Sequence, residues 1–219
     1  MSEREPLRRR LSAGVAALSL QLADDTIERL LDYVDLLMRW NATYNLTAVR
    51  DATEVVTRHL LDSLAVLPHV CGARYADLGS GAGLPGIPLA VCHRFEDVLL
   101  VDSNGKKARF LREALRQLRL PQARVAESRV EAVAGEFDCI TARAFATLAD
   151  MLAWGGHLLA ADGRWLALKG RFPHDELDAV PAGFEVEAVQ RLEVPGLDAE
   201  RHLVTIRRSG RDSTAGKQA

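Results

Sequence analysis

Cysteine is scarce in this chain, which contains three in 219 residues. Cys71, Cys92 and Cys139 are far apart and include no Cys-x-x-Cys pair. An odd, scattered set of this kind fits neither a disulfide framework nor a zinc site, whereas it is ordinary in a reducing compartment. We therefore predict a cytoplasmic location.

Histidine patterns that bind metal ions are also missing from the sequence. Such sites often use His-x-x-x-His or His-x-His pairs, whose two rings can reach one ion. No two of the histidines have either spacing; they are His59, His69, His93, His157, His174 and His202. We predict no metal site.

Long apolar runs are absent, because none approaches the roughly 20 residues that a membrane-spanning helix needs. The segment closest to a targeting signal is Arg8-Arg9-Arg10 followed by residues 11–23, which has the charge order of a secretory signal peptide. Polar residues interrupt it, however, and its apolar residues recur at steps of three and four: Leu7, Leu11, Val15, Leu18 and Leu22. That spacing favours a helix with one buried face, and we predict no association with membranes.

The composition has no extreme that would indicate disorder or a fibrous repeat. Hydrophobic residues make up 48% and charged residues 26%, as in ordinary globular proteins. The length suits one α/β domain with an appendage and is too short for two separate cores. A formal net charge of −2 leaves nucleic-acid binding open, because such binding depends on local patches of charge.

The N-terminal part of the chain, residues 1–70, has the pattern of helices. Capping-box patterns occur at Asp25–Glu28 and Asp51–Glu54, and apolar residues at helical spacing follow each of them. The segment 41–47 between them is rich in turn-forming residues. We predict two helices on either side of this turn, in an N-terminal helical extension packed on the core.

From Tyr75 onward, strand and helix patterns alternate, which predicts a mostly parallel sheet with helices on both faces. The predicted strands lie near 75–79, 97–102, 123–126, 138–142 and 164–169. The predicted helices lie near 84–93, 105–119 and 146–159, the last with a break at Gly155-Gly156. Two extended runs, 184–194 and 201–208, predict an antiparallel hairpin that closes the sheet. We predict a main domain over 71–208 and a disordered tail over 209–219.

A Gly-rich loop follows the first predicted strand, in the segment Asp77-Leu78-Gly79-Ser80-Gly81-Ala82-Gly83-Leu84-Pro85-Gly86. A turn between strand and helix exposes backbone N–H groups to a nucleotide. A Cβ on Gly79, Gly81 or Gly83 would block either the tight turn or the approach of a ligand to the backbone. We therefore predict a nucleotide-binding loop, with Pro85 starting the next helix.

The same letters allow two interpretations of the ligand. Gly81, Gly83 and Gly86 satisfy the dinucleotide pattern G-x-G-x-x-G, a weak match by itself. The alternative register G-x-G-x-G, led by Asp77, is typical of S-adenosylmethionine-dependent methyltransferases. Asp102 at the end of the next strand can accept both hydroxyls of an adenosine ribose, although the same arrangement also serves NAD.

The helix predicted after Asp102 has one apolar arc and one basic arc. The arginines on its basic arc are Arg109, Arg112, Arg116 and Arg119. Such a stripe is either the solvated face of a surface helix or a surface that follows the phosphates of a nucleic acid.

Motifs along the chain resemble those of one bacterial family. They are DLGSGAGLPGIP, VDSNGKK, SRVE at 128–131, RAFA at 143–146, LKG at 168–170, RWNATYNLTAVRD, RHLLDS at 58–63 and GLDAERHLV. A set of ordered motifs is far more specific than any one of them, and the match covers about residues 15–208. On these residues the chain resembles the RsmG (GidB) family, the ribosomal RNA small subunit methyltransferase G enzymes.

This resemblance implies methylation of N7 of a single guanine in the decoding region of 16S rRNA, within the small ribosomal subunit particle, with S-adenosylmethionine as the donor. It also implies a class I, Rossmann-like methyltransferase fold preceded by helices. Carried over motif by motif, it implies cofactor contacts at Gly79, Gly81, Gly83, Leu84, Asp102, Ser103, Val130, Glu131 and Arg143. Ser80 and Ala82 stand where relatives often carry Thr and Pro, and a tight turn tolerates both.

The implied chemistry needs no acid or base from the protein. Guanine N7 has a free lone pair and no proton, so it attacks the sulfonium methyl group by direct in-line displacement once the two are aligned. We therefore predict no catalytic residue and expect positioning to dominate.

The candidates for RNA positioning are basic, polar or aromatic residues near the motifs: Asn41, Tyr44, Asn45, Arg58, His59, Lys106, Arg109, Arg129, Arg143 and Lys169. Arginine and lysine can neutralise phosphates, and Tyr44 can stack on a base. Simpler roles compete with these: Tyr44 and Asn45 can end a helix, and Arg58 can pair with Asp62 one turn further on.

Two other functions remain as alternatives at this point. The G-x-G-x-x-G register would suit an NAD(P)-dependent oxidoreductase, although no substrate domain or catalytic acid is evident after it. A non-catalytic RNA-binding assembly factor would also fit the basic stripe. Whichever function applies, we expect the protein to be a monomer.

Overall fold

The computed structural model describes residues 4–144 and 146–210 and contains one seven-stranded sheet. Its strands are β1 Arg74–Leu78, β2 Asp97–Val101, β3 Ala123–Ala126, β4 Phe137–Arg143, β5 Leu159–Lys169, β6 Phe184–Arg191 and β7 His202–Arg208. They lie in the order β3-β2-β1-β4-β5-β7-β6. Strands β1 to β5 are parallel, and β7 is antiparallel to both β5 and β6. The predicted Rossmann-like α/β fold with a C-terminal antiparallel pair is confirmed.

Helices precede the sheet and connect its strands. They are α1 Arg4–Ala17, α2 Asp24–Tyr44, α3 in three consecutive parts (Ala52–Val55, the π-helical Val56–Leu61 and Asp62–Leu64), α4 Gly86–Cys92, α5 Gly105–Gln117, α6 Leu148–Gly155 and α7 His174–Leu177. Short 3-10 turns occur at Leu67–His69, Val130–Ala132 and Gly156–Leu158. Within the described ranges, no helix is both long and apolar enough to cross a membrane.

The N-terminal helices follow the predicted pattern with two corrections. Leu11 and Val15 are buried, but α1 already ends at Ala17. Helix α2 begins at Asp24 after Ala23, which offers no side-chain cap. The predicted Asp25–Glu28 capping box is therefore wrong, because the Asp25 carboxylate accepts from the neighbouring Thr26 N–H instead, at 2.8 Å.

The second predicted cap and the turn before it are closer to the structure. The Asp51 carboxylate accepts from the Glu54 backbone N–H at 2.9 Å and caps α3 as predicted. Helix α2 continues to Tyr44, beyond the predicted break, and ends at Asn45 in the left-handed region with φ 52°. Asparagine tolerates this conformation better than most residues.

Alternate residues of the central strands face two separate cores, one on each side of the sheet. On one side, Tyr75 of β1 packs in a cluster that includes Leu11 of α1 and Leu37 of α2. On the other side, Leu78 of β1 packs with Met151 of α6. The N-terminal helices therefore share the core of the sheet, while a domain boundary at residue 70 stays a prediction.

The remaining differences lie toward the C-terminus. Strand β5 begins at Leu159, earlier than the predicted residue 164. The predicted break at Gly155-Gly156 is confirmed, because helix α6 ends at Gly155 and the 3-10 turn over Gly156–Leu158 leads into the strand. Helix α7 was not predicted, since His174–Leu177 is too short for a periodic pattern. Of the predicted tail over 209–219, residues 211–219 lie outside the described residues.

The connectivity opens a crevice at one edge of the sheet. From β1 the chain moves outward to β2 and β3, and it then crosses back to β4 on the other side of β1. Loops after β1 and β4 therefore diverge at their carboxyl ends, which is where ligands bind in open α/β sheets. The Gly-rich loop and Arg143 both lie at this edge.

Candidate functional site

The Gly-rich loop after β1 has the backbone conformation that its glycines predict. Gly79, Gly81 and Gly83 have φ of 70°, 60° and 84°, in the region that residues with a Cβ rarely adopt. At Gly83 a Cβ would also lie 2.4 Å from Cδ1 of Ile87. The loop therefore needs these glycines for its own shape as well as for any ligand.

Asp77, near the end of β1, stabilises this loop by hydrogen bonds from its buried carboxylate. Its side chain is fully buried, and its carboxylate accepts from the Thr141 hydroxyl at 2.8 Å and from the Gly86 N–H at 3.2 Å. Because the Thr141 hydroxyl uses its one hydrogen to donate to Asp77, the Tyr75 hydroxyl must be the donor in its hydrogen bond with Thr141, at 2.5 Å. Burial raises the pKa of Asp77 to about 6.

Asp102, at the end of β2, joins the Gly-rich loop to the next helix. One carboxylate oxygen accepts from the Gly81 N–H at 2.9 Å and the other from the Asn104 N–H at 2.8 Å. Asn104 in turn caps α5 by accepting from the N–H groups of Lys106 and Lys107. Asp102 is buried but borders a cavity, with the Lys107 ammonium 4.0 Å away.

Two cavities adjoin the Gly-rich loop, and the smaller one, of about 320 Å³, opens beside Asp102. Five of the predicted cofactor residues line it together: Gly79, Asp102, Ser103, Val130 and Glu131. Arg129, predicted as an RNA contact, lines it as well. Sequence reasoning missed Lys107, although it ends the VDSNGKK motif, and Trp154, which belongs to none of the quoted motifs and reaches the cavity through the fold.

A larger cavity of about 560 Å³ adjoins the smaller one. The predicted residues that line it are Gly79, Gly81, Leu84, Arg58, His59, Arg143 and Lys169. Gly79, Lys107 and Ala144 line both cavities, so the two spaces meet at the Gly-rich loop. Gly83 lines neither cavity.

Asp62 lies between two arginines on the wall of the larger cavity. Arg143 Nη1 is 3.0 Å from Asp62 Oδ2, and Arg201 Nε is 2.7 Å from Asp62 Oδ1. The suggested pairing of Arg58 with Asp62 is therefore wrong, because both oxygens of Asp62 are already engaged. Arg58 lies closest to Glu54, at 3.9 Å.

His59 and Lys169 line the larger cavity but are held by other residues. Thr47 donates its hydroxyl proton to His59 Nε2 at 2.7 Å if Nδ1–H donates to the Arg58 carbonyl at 3.0 Å, the one tautomer that satisfies both contacts. Burial, followed by the charge of Arg143, lowers the pKa of His59 to about 4. The Lys169 ammonium donates to Glu176 at 2.7 Å.

Three predicted RNA residues lie at the end of α2, outside both cavities. Asn41 is buried, donating to the Val49 carbonyl at 3.0 Å and accepting from the Thr47 N–H at 2.9 Å. Its amide is therefore engaged within the protein, where it shapes the loop. Asn45 ends α2 and accepts from Arg50 at 2.6 Å, whereas Tyr44 is 41% exposed.

The basic stripe on α5 is exposed but partly neutralised. Arg112 pairs with Glu127 at 2.9 Å, and Arg116 pairs with Glu113 at 2.7 Å. Lys106 and Arg109 are exposed and line neither cavity.

Comparison with known proteins gives one consistent result. The family described as "GidB: rRNA small subunit methyltransferase G" matches residues 26–204. The "Ribosomal RNA small subunit methyltransferase G" of Xanthomonas axonopodis pv. citri is 58% identical over 200 residues, covering 90% of this chain and 93% of that protein. The protein of the same name from Neisseria meningitidis serogroup C is 51% identical, covering 92% and 98%.

The solved structures support the fold. TrmN from Thermus thermophilus superposes with a TM-score of 0.56 at 20% sequence identity, over 70% of this chain and 53% of that one. At that identity the likeness concerns the architecture alone.

Proposed function

The chain belongs to the rRNA small subunit methyltransferase G family, and from that premise we propose that its two adjoining cavities divide the reaction between them. The protein is an S-adenosylmethionine-dependent methyltransferase of small-subunit ribosomal RNA. This membership decides against the NAD(P)-dependent oxidoreductase and against the non-catalytic assembly factor. In our proposal the smaller cavity takes the adenosine part of the cofactor, and the larger cavity takes the target guanine.

The smaller cavity has the groups that an adenosine requires. Each carboxylate oxygen of Asp102 accepts one backbone N–H and has a second lone pair for a ribose hydroxyl. Val130 and Trp154 supply apolar surface on the cavity wall for the adenine. The left-handed glycines of the loop let the backbone come close to the remainder of the cofactor.

The observation that carries this proposal is the shared border of the two cavities. Gly79 and Ala144 line both of them, so a ligand in the smaller cavity can reach the larger one at that point. Arg143 lies directly before Ala144 and lines the larger cavity. We assign to Arg143 the carboxylate of the cofactor, because a guanidinium binds a carboxylate through two parallel hydrogen bonds.

The residues around the larger cavity suit a displacement that needs no proton transfer. When bound, the cofactor supplies an electrophilic methyl group. His59 lines the cavity, but its pKa of about 4 makes it a weak base, and its Nε2 already accepts from Thr47. The chain's contribution is therefore to hold guanine N7 in line with the methyl group and to exclude water.

The RNA surface is proposed around the openings of both cavities. Arg129 lines the smaller cavity, and Arg58 lines the larger one. Lys106 and Arg109 extend positive charge along α5, and Tyr44 offers an exposed ring for a base. We keep Asn41 out of this surface because its amide is buried.

We also propose a cytoplasmic location and a monomeric enzyme. Ribosomal RNA is the substrate, and all three cysteines are free thiols, as in a reducing compartment. Residues of a single chain line both cavities, so no second copy is needed to complete the site.

Tritium transfer from labelled S-adenosylmethionine to small-subunit particles that lack their natural methylation tests the proposal. We expect label on N7 of a single guanine of 16S rRNA, located by cleavage at the methylated base. Label on another atom or on several guanines would contradict the assignment of the target. Binding of the cofactor with no transfer would contradict the assignment of the larger cavity.

A further inference from the structure

Three side chains from distant parts of the sequence meet on the wall of the larger cavity. Asp62 comes from α3, Arg143 from the end of β4, and Arg201 from the loop before β7. The carboxylate of Asp62 accepts one N–H from each arginine, at 3.0 Å from Arg143 and at 2.7 Å from Arg201. All three residues line the cavity.

This cluster keeps a net positive charge. The Asp62 side chain is 3% exposed, and one carboxylate serves two guanidinium groups that are 22% and 26% exposed. A guanidinium has five N–H donors. Arg201 uses one for Asp62 and one for the Glu200 carbonyl at 2.8 Å, so further donors remain for an anionic ligand.

The other cations of the larger cavity have carboxylates of their own. Lys169 is 2.7 Å from Glu176, Lys107 is 4.0 Å from Asp102, and Arg58 is 3.9 Å from Glu54. Arg143 and Arg201 share Asp62. An anion that enters the larger cavity therefore finds its uncompensated charge at this pair.

The two arginines approach the cavity from different sides. Arg143 ends β4, which neighbours β1 and the Gly-rich loop, whereas β7 lies two strands further along the sheet. At about 4.8 Å per strand, the backbones of β4 and β7 are roughly 10 Å apart. The two guanidiniums converge on Asp62, and neither arginine lines the smaller cavity; Arg143 follows the Gly-rich side of the sheet, whereas Arg201 comes from the side further from the Gly-rich loop.

We propose that Arg201 binds a phosphate of the target nucleotide, and that Asp62 is a positioning residue that holds Arg201 and Arg143 side by side for two different anions. Phosphate is the anion that an RNA substrate brings, and a guanidinium matches its oxygens with paired donors. The inference rests on the proposed function, because it takes the larger cavity as the RNA site.

The test is the salt dependence of RNA binding by Arg201→Ala. We expect the KM for small-subunit particles to rise by about 10-fold to 100-fold, the loss typical of a charged hydrogen bond. The slope of log affinity against log salt should fall in magnitude by about 0.7 to 0.9, as for one phosphate contact. The Kd for S-adenosylmethionine, measured by calorimetry, should stay within about twofold, since its carboxylate is assigned to Arg143.

Arg207→Ala is the matched control. Arg207 lies in β7, the strand that begins directly after Arg201, is ion-paired with Glu185, and is about 20 Å from Arg201 along the extended chain. It should change neither the slope nor the KM. Arg201→Lys keeps the charge with a smaller structural change, so it should retain the slope while raising the KM; it decides the question if the alanine variant does not fold.

Asp62→Asn separates positioning from a purely structural role. Without the shared carboxylate, both the Kd for the cofactor and the KM for the particle should rise. A lower melting temperature with both constants unchanged would mean that Asp62 only stabilises the fold, and it would overturn the positioning role.

The outcomes are distinguishable from a failure of the proposed function. If the unsubstituted enzyme does not methylate small-subunit particles, the proposed function is wrong. If it does, and Arg201→Ala has an unchanged slope and KM, only the phosphate assignment is wrong. A weaker Kd for the cofactor with an unchanged KM for the particle would instead place Arg201 on the cofactor's carboxylate.

Discussion

Gly86 and Asp77 are in contact across the start of α4. The Gly86 N–H donates to Asp77 Oδ2 at 3.2 Å, and a Cβ at position 86 would lie 2.6 Å from the same oxygen. The third glycine of the dinucleotide-like pattern is therefore explained by a buried carboxylate. In the sequence, the Gly-rich loop fits both the dinucleotide and the methyltransferase pattern. The contact with Asp77 explains why residue 86 is a glycine without any bound dinucleotide.

The first prediction follows from this contact. Gly86→Ala should lower the free energy of unfolding by about 1–3 kcal/mol, because the new methyl group must displace Asp77 or Leu100 in a packed core. Thermal unfolding measures the loss. Gly210→Ala is the matched control, since nothing lies within 4 Å of a Cβ there and its φ is not positive. Equal melting temperatures for the two variants would contradict the packing argument.

The second prediction concerns pH. The folded pKa of Asp77 is raised from 3.8 to about 6, so the fold favours its neutral form, and its contribution to stability is lost as pH rises through that window. The folded pKa of His59 is lowered from 6.5 to about 4, so the fold favours the neutral ring, and stability is gained as pH rises from about 4 to 6.5. At ~1.4 kcal/mol per pKa unit each effect amounts to roughly 3 kcal/mol, and the two nearly cancel.

Single substitutions should reveal these opposed contributions. Relative to the unsubstituted protein, Asp77→Asn should become progressively more stable as pH rises from 4 to 6.5, and His59→Gln progressively less stable. Urea unfolding at several pH values measures both difference curves. Curves that are flat for both variants would show that neither group titrates differently in the folded state.

The third prediction separates two neighbours at the end of α2. Asn41→Ala leaves the Thr47 N–H and the Val49 carbonyl without their partners, which should cost about 2–3 kcal/mol of stability. Tyr44→Ala should lower stability less, because the residue is 41% exposed and loses a ring contact with Trp40 but no buried hydrogen bond that the structure shows, and it should weaken RNA binding. Thermal unfolding and an RNA-binding titration of both variants decide the matter. The reverse pattern would return Asn41 to the RNA surface.

The fourth prediction concerns Asp102, whose carboxylate joins the Gly-rich loop to the start of α5. Asp102→Asn should weaken S-adenosylmethionine binding by roughly 10-fold to 100-fold, because an amide nitrogen cannot accept from the Gly81 N–H or from a ribose hydroxyl. Calorimetry gives the Kd. Asp178→Asn changes an exposed carboxylate that lines neither cavity, and it should keep the original affinity. An unchanged Kd for Asp102→Asn would remove Asp102 from the cofactor site.

The fifth prediction divides the basic stripe of α5. The double variant Lys106→Ala with Arg109→Ala should raise the KM for the small-subunit particle and spare the Kd for the cofactor. Arg112→Ala with Arg116→Ala is the control on the same helix, and its effect should be smaller because Glu127 and Glu113 already neutralise these arginines. Methylation rates at several particle concentrations compare the pairs. Equal effects would mean that the whole stripe contributes only general charge.

Several features were predictable because neighbouring residues in the sequence determine them. The strands, the Gly-rich turn, the Asp51 cap and the family motifs depend on periodicity, on the φ that glycine allows, or on short ordered patterns. The predictions that failed also depended on local pattern. The Asp25 capping box did not form, because a carboxylate can bond its own neighbouring N–H as readily as one three residues away.

The sequence by itself therefore determined the fold class, the family and the conformation of the Gly-rich loop. Only the tertiary structure decided which side chains face the cavities and which are consumed by internal contacts. Asn41 and Asp62 look alike in the sequence as polar residues of N-terminal helices, yet one is enclosed by a loop and the other joins Arg143 to Arg201 over 81 and 139 positions of chain. The reason is physical: a buried polar group must find a hydrogen-bond partner, and packing of the whole chain determines which partner is within reach.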